Sequence, residues 1–537
     1  MHCKKTYIWL LTLLFMTTLL FGCGGNKTAT PQAGKVLRIA NGAEPETLDP
    51  RKATGNPESI VLRQLFEGLC TQDQKGEVAP GVAEKWELSP DGLTFKFFLR
   101  ANAKWSNGDP VTAKDFAYSW LSTLSPELGS KYAEQLYYIK NGEAYNKGKA
   151  QKEEVGIKVV DDRTLEVTLE KPTPYFLFLT SFFTYFPVNQ KVVEANATWN
   201  ADPKTIIGNG PFKIVSWVHN SKIEIEKNEN YWNKDVVKLA KAEINLSDNR
   251  KTLLDMFENN QLDTVEVKPP LAETPRLMKE NKVKILPYIN TYYFCLNVTK
   301  APFDNPKVRK ALALALDRNS IVTAVTKAGQ KPALAWTPYG LPDAKPGEDF
   351  RKIGGDYFKD NDVETAKKLL AEAGYPDGQG LPPITLLYNT SEEHKVIAEA
   401  VQEMWKKNLG VTVNVTNQEW KVYLAARKQG DFQMARSGWI GDYLDPMTYL
   451  DTLVGGGGNN HTRWKNPEYD ALVKQAQMSV DPAVRMKAMH DAEKILMEDM
   501  PIIPVYFDSN PILEKPNVKG IIRDALGAVY LREASIQ

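Results

Sequence analysis

Apolar and polar residues alternate in three short runs of the first half of the chain. In LTFKFFLR, Leu93, Phe95, Phe97 and Leu99 fall on one side of an extended segment that follows the Asp91-Gly92 turn signal. A period of two with one apolar face predicts a half-buried hairpin strand. TLEVTLE repeats the pattern with Leu165, Val167 and Leu169, and SKIEIEK with Ile223 and Ile225. Further along, the period lengthens to that of a helix. NPKVRKALALALDR has Pro306 near the start and Val308, Ala311, Leu312 and Ala315 on one stripe, as an amphipathic helix requires. DVETAKKLLAEAGYPDG carries Asp362 as a candidate N-cap, then Val363, Ala366, Leu369, Leu370 and Ala373 at helical spacing, Gly374 at the stop and Pro376 beyond it. Strands interspersed with helices predict a mixed α/β protein. A chain of 537 residues has room for roughly three or four domain-sized units. No Pro/Ser/Gly linker interrupts it after residue 35, so the units are expected to be interwoven or tightly joined.

The N-terminus follows a different logic. Lys4 and Lys5 precede an uncharged stretch from Thr6 to Phe21, with a length and flank that suit a signal peptide better than a stable membrane span. Leu20-Phe21-Gly22-Cys23 resembles the bacterial lipobox, in which the cysteine is lipidated and becomes the first mature residue. Residues 1–22 are then a lipoprotein signal peptide, and residues 23–35 a polar tether carrying the lipid on Cys23. Acyl chains contribute about 0.8 kcal/mol per buried methylene, enough for several to hold a protein at a membrane without a spanning helix. The expected location is extracytoplasmic, anchored to the outer face of the plasma membrane or in a periplasmic space. Cys70 and Cys295 sit in apolar surroundings (EGLCTQ, YYFCLNV), where a buried free thiol is expected rather than a disulfide.

Composition excludes more than it proposes. Lys and Arg total 67 against 66 for Asp and Glu, a net +1 without a long single-sign run. A nucleic-acid binder should show a basic excess or stripe. Enzyme signatures are missing: there is no H-E-x-x-H, no G-x-S-x-G and no Cys/His cluster at zinc spacing, and the five histidines are scattered. No metal or cofactor is expected. A glycosidase needs only two carboxylates, so an exported hydrolase stays open as the alternative class. The second half instead offers short cationic and aromatic groups after periodic elements: SEEHK, NQEWK, AARKQG and ARSGWIGDY. Each has a bland reading as a cap, a core ring or a solvated charge. Together they suggest a cleft for something amphoteric. The glycine run Gly455 to Gly458, followed by Asn459 and Asn460, reads as a loop.

Four longer stretches carry a family resemblance: WELSPDGLTFKFFLRANAKWSNGDPVTAKDFAYSW from Trp86 to Trp120, GNGPFKIVSW at 208–217, APFDNPKVRKALALALDR at 301–318, and MPIIPVY at 500–506. In type and order they resemble the extracytoplasmic solute-binding proteins that serve peptide and nickel ABC importers. That resemblance implies an α/β fold of two lobes with an extra domain and a ligand enclosed between the lobes, a periplasmic-binding-protein-like fold of type II, cluster C. By analogy, lobe I takes residues 36–70, 205–290 and 510–537, the extra domain 71–204, and lobe II 291–509. The implied function is delivery of short peptides to the permease and ATPase subunits of an importer by a monomeric receptor. The family also serves other ligands, so a cell-wall tripeptide, a dipeptide or a signalling peptide is the alternative cargo.

The resemblance assigns roles as well. Asp442 matches the carboxylate that pairs with a peptide's α-ammonium, and Arg436, Arg427 and His394 match the cations that receive its carboxylate. An extended peptide advances about 3.3 Å per residue, so cations at different depths suit peptides of about two to five residues. His394 is expected to pair best when protonated. Gly438 and Ile440 match a backbone stretch that accepts the ligand as an added strand, with a second stretch around Glu58 on the other lobe. Trp420 and Trp439 match pocket walls, and Tyr132 of the extra domain is a further lining residue.

Overall fold

The computed structural model describes residues 36–537. The expected signal peptide, the lipidation site Cys23 and the tether lie outside the described residues. Three main sheets organise the chain. The first has seven strands in the spatial order Val283–Leu286, Asn510–Glu514, Thr264–Val265, Val36–Ala40, Lys241–Asn245, Lys222–Lys227 and Phe212–Val218. Val36–Ala40 runs parallel to both its neighbours and every other pairing is antiparallel. A parallel neighbour requires a crossover. The helix Arg250–Glu258 supplies one, capped where the Asn249 side chain accepts from the Thr252 amide, with Leu253, Leu254 and Phe257 buried against Ala40 and Val265.

The second sheet has six strands in the order Lys331–Pro332, Ile502–Phe507, Asn290–Leu296, Met434–Ile440, Ile384–Asn389 and Val413–Gln418. All of Ile502–Phe507 is buried, as a central strand covered on both faces should be. The expected helices pack on this sheet. Pro306–Leu314 begins where the Asn305 side chain accepts from the Lys307 amide, and Val363–Glu372 where Asp362 accepts from Thr365. Gly374 follows the second helix with φ of +94°, a conformation open to glycine at little cost.

The third sheet, inserted between strands Val36–Ala40 and Phe212–Val218 of the first, is an antiparallel array in the order Ala83–Leu88, Thr94–Leu99, Thr164–Thr168 and Ile157–Asp161. Its alternation is the expected one: Phe95, Phe97, Leu99, Leu165 and Val167 are buried. Phe176 packs on Phe95 and Phe97, and Tyr185 meets both Phe176 and Trp120 edge-on.

Between the first and second sheets the chain crosses after Leu286 and returns after Phe507. Asp508 ties the crossing together. It accepts from Lys268 Nζ at 2.7 Å and from Asn290 Nδ2 at 2.9 Å.

Candidate functional site

The strand Met434–Ile440 pairs along its whole length with Asn290–Leu296 on one side, but on the other side it meets Ile384–Asn389 only at Met434 and Ala435. From Arg436 onward that second edge is open. The register fixes what the edge presents. The Gly441 amide donates to the Ile289 carbonyl and the Asn297 amide to the Gln433 carbonyl, so the odd-numbered residues point their backbone groups at Asn290–Leu296. In an antiparallel pair the alternate residues point theirs away. Arg436, Gly438 and Ile440 therefore face the open edge. Tyr423 Oη donates to the Arg436 carbonyl, which leaves the amides and carbonyls of Gly438 and Ile440 available for an added strand. On the sheet face, a Cβ on Gly438 would lie 3.4 Å from the Arg436 guanidinium, so the glycine leaves room for that cation.

A cavity of about 470 Å³ adjoins this edge. Its walls come from all three parts of the chain: Thr54, Gly55 and Asn56 with Leu526 to Ala528; Tyr132, Glu134, Gln135 and the phenylalanines 178, 182 and 183; and Trp420, Gly438 to Asp442 and Asn459. Six of the residues singled out in the sequence thus line one cavity, namely Asp442, Trp439, Trp420, Gly438, Ile440 and Tyr132. Trp439 is fixed by its Nε1 donating to the Thr448 carbonyl at 2.7 Å. Trp420 is 49% exposed and stacks on Tyr423. Tyr132 stacks with Phe182 and Phe183.

Asp442 has no ion-pair partner among the described residues. Burial pushes its carboxyl up to about 7; a hydrogen bond from the Gln135 side chain opposes the shift, and the nearby Glu134 charge adds to it. The arrangement is that of an anion held out of water without its counterion, and a ligand cation would relieve it.

The three expected cations lie against aromatic rings and outside the lining of this cavity. The Arg436 guanidinium lies 4.6 Å from the Tyr292 ring centre, and its Nη1 reaches Asn389 Oδ1 at 3.4 Å. Arg427 sits over the Tyr423 ring at 5.7 Å. The His394 ring centre is 5.7 Å from that of Tyr292. Neither arginine has a carboxylate partner among the described residues, and Arg436 Nε, Arg427 Nε and His394 Nδ1 are buried without a hydrogen-bond partner there. Unpartnered buried donors of this kind are costly unless something accepts from them.

Two expectations need correction. Glu58 does not belong to an extended stretch: it lies in the helix Asn56–Leu65, and its carboxylate accepts from the Glu46 amide instead of facing the cavity. The extended residues next to the cavity are Thr54 and Gly55, the latter at φ −111° and ψ 165°. His394 is not a ready cation either. Burial lowers it to about 2, with the Arg436, Lys268 and Arg250 charges adding to the effect, so the free molecule holds it neutral. Arg436 and Asp442, six residues apart, are not ion-paired to each other. The lining also includes Glu134 and Gln135, which the sequence alone did not mark, and Asn459 from the loop that follows the glycine run. Among the described residues, no group of three or more His, Cys, Asp or Glu is placed to hold a metal ion.

The sequence matches the bacterial extracellular solute-binding proteins, family 5, over residues 77–461. The chain belongs to this family. Its members bind and hand over solutes and are not enzymes. The oligopeptide-binding protein OppA of Bacillus subtilis (strain 168) is 42% identical over 99% of both chains. The dipeptide-binding protein DppE of the same organism is 42% identical over 96% of both. The solved structure of the Escherichia coli murein tripeptide binding protein MppA superposes with a TM-score of 0.82 at 38% identity, covering 94% of this chain and 99% of that one. The family's two-lobe α/β architecture is the one described above. No described helix is long and apolar enough to cross a membrane.

Proposed function

We propose that the protein is an extracytoplasmic receptor, held at the membrane by lipid on Cys23, that binds peptides of about two to five residues and delivers them to the permease and ATPase subunits of an ABC importer. It works as a monomer, with lobe I formed by residues 36–70, 205–290 and 510–537, the extra domain by 71–204 and lobe II by 291–509. One observation carries the reading: an open strand edge at Gly438 and Ile440 with Asp442 at one end and Arg436 and Arg427 toward the other, none of them ion-paired among the described residues. All free peptides share an ammonium, an amide backbone and a carboxylate, and these three features can be recognised without reading side chains. Main-chain pairing supplies affinity whatever the sequence, and charge-assisted bonds fix the two termini. His394, neutral in the free molecule, becomes a cation only if a carboxylate arrives beside it, because an opposite charge raises an imidazole pKa.

Native mass spectrometry of the purified protein tests this directly. The expected result is a stoichiometric complex with short free peptides, and an added tripeptide should be recovered intact. A non-peptide cargo, or cleavage of the tripeptide, would overturn the proposal.

A further inference from the structure

The end of the cavity at Asp442 holds more acceptors than an α-ammonium uses. Glu134, on the short helical turn Ala133–Leu136 of the extra domain, lines the same cavity and has no ion-pair partner among the described residues. It lines this cavity together with Asp442, and its charge opposes ionisation of that carboxyl. Next to Glu134 in sequence, Gln135 is 92% buried and lines the same cavity, and its Oε1 has no hydrogen-bond partner among the described residues. The adjoining wall is aromatic: Tyr132, Phe182 and Phe183 stack at 4.3 to 6.3 Å between ring centres. Arg63, the cation of the lining, is turned to other partners. Its Nε donates to Ser59 Oγ and its Nη1 to the Ser181 carbonyl and Tyr530 Oη.

We propose that Glu134, with the Gln135 carbonyl and the Tyr132–Phe182–Phe183 wall, forms a subsite for a cationic side chain on the first residue of the bound peptide. The inference rests on the peptide-receptor reading and refines it to a preference for Lys or Arg at the amino terminus. The chemistry is additive. Asp442 takes the α-ammonium, and the first side chain leaves the same Cα toward the second carboxylate. Its methylenes lie along aromatic faces, and its charge meets both the carboxylate and the ring quadrupoles.

Titration calorimetry of the protein with Lys-Ala-Ala and with norleucine-Ala-Ala, which keeps the aliphatic stem and lacks the charge, tests the subsite. The expected ratio is roughly tenfold in favour of lysine at low salt, shrinking as salt is raised. Glu134→Gln should bring the ratio close to one, and Glu134→Lys should turn the preference toward Glu-Ala-Ala. Reading the ratio removes any general effect of the substitution on folding or on tripeptide affinity. Equal affinities of the two ligands for the unaltered protein would overturn the subsite and leave the peptide-receptor reading standing. Failure of every tripeptide to bind would overturn both.

Discussion

Asp442→Asn combined with N-acetylation of the ligand puts the terminal ion pair to a quantitative test. The carboxylate is half-buried, carries no counterion among the described residues, and is pushed up to a pKa of about 7 chiefly by the loss of solvent around it. Removing one member of a desolvated charge pair costs about 2–5 kcal/mol, which is roughly 30- to 5,000-fold in Kd. A free tripeptide and its N-acetyl form should therefore differ by that factor on the unaltered protein. On the Asp442→Asn variant the free tripeptide should lose most of its advantage, because the asparagine neither repels the acetyl group nor attracts the ammonium. The coupling between the two changes is the quantity of interest, since a double-mutant cycle cancels effects that each change has separately. Calorimetry on the four combinations supplies it. The substitution should also raise the thermal midpoint of the ligand-free protein, because it removes an unpaired buried charge. Additive effects in the cycle would refute the pairing, whatever the individual affinities.

The same carboxyl makes binding depend on pH. Only ionised Asp442 attracts the ammonium, so tripeptide affinity should fall about tenfold per pH unit below 7 and level off above it; a flat profile between pH 5 and 7 would exclude Asp442 as the partner. For the ligand-free fold the sign is reversed. A carboxyl with a raised folded-state pKa favours the fold below its unfolded pKa, and that contribution is lost as pH rises through about 7. Asp451, also pushed up to about 7 by burial, acts in the same direction, so the melting temperature should decline over this range and be restored by ligand. N-methylation of the ligand amides facing Gly438 and Ile440 should weaken binding about two- to tenfold each, the worth of a hydrogen bond of about 0.5–1.5 kcal/mol; a ligand tolerant of methylation at every amide would rule out strand addition. Glu493→Gln should destabilise the second lobe by about 3–5 kcal/mol, read as a lower denaturant midpoint, because Glu493 and Arg351 form an ion pair with both side chains fully buried. Cys70 and Cys295 are buried and free, and burial raises both thiols to about 12, so alkylation mapped by mass spectrometry should find them protected in the native protein and modified only after unfolding.

Much of this was legible in the sequence because it follows from local patterns. Alternation located the strands around Phe97, Val167 and Ile225, and Pro306 and the cap residue Asp362 located two helices, since each signal depends on a few neighbouring positions. The Arg436 to Asp442 segment was legible for a related reason. One strand carries the edge and Arg436, and Asp442 follows two residues after its end, so residues close in sequence are also close in the site. Glu58 shows where such reading fails. Pro57 next to it is a helix-start residue, and in GNPESIV that local signal competed with a matching motif and described the backbone correctly: the chain is extended through Gly55 and helical after it. Motif matching pointed to the segment that borders the cavity but not to the residues that line it, Thr54 to Asn56.

Glu134 and Gln135 were illegible for a different reason. They belong to a short turn in an inserted domain and reach the cavity only because that domain packs where the two lobes meet, so no spacing along the chain relates them to Asp442, some 300 residues later. His394 combines both cases. Its type and position mark it as a cation, but its charge is decided by burial, with Arg436, Lys268 and Arg250 from other elements adding to the effect. A sequence can nominate a titratable group, whereas its protonation state is a property of the assembled neighbourhood. Here that neighbourhood gathers uncompensated positive charge at one place and uncompensated negative charge at another, with a bare strand edge between. The free fold gains nothing from either. Their cost is recovered only when one molecule bearing both opposite charges joins them, and for that reason the unpaired groups indicate the cargo more directly than the fold does.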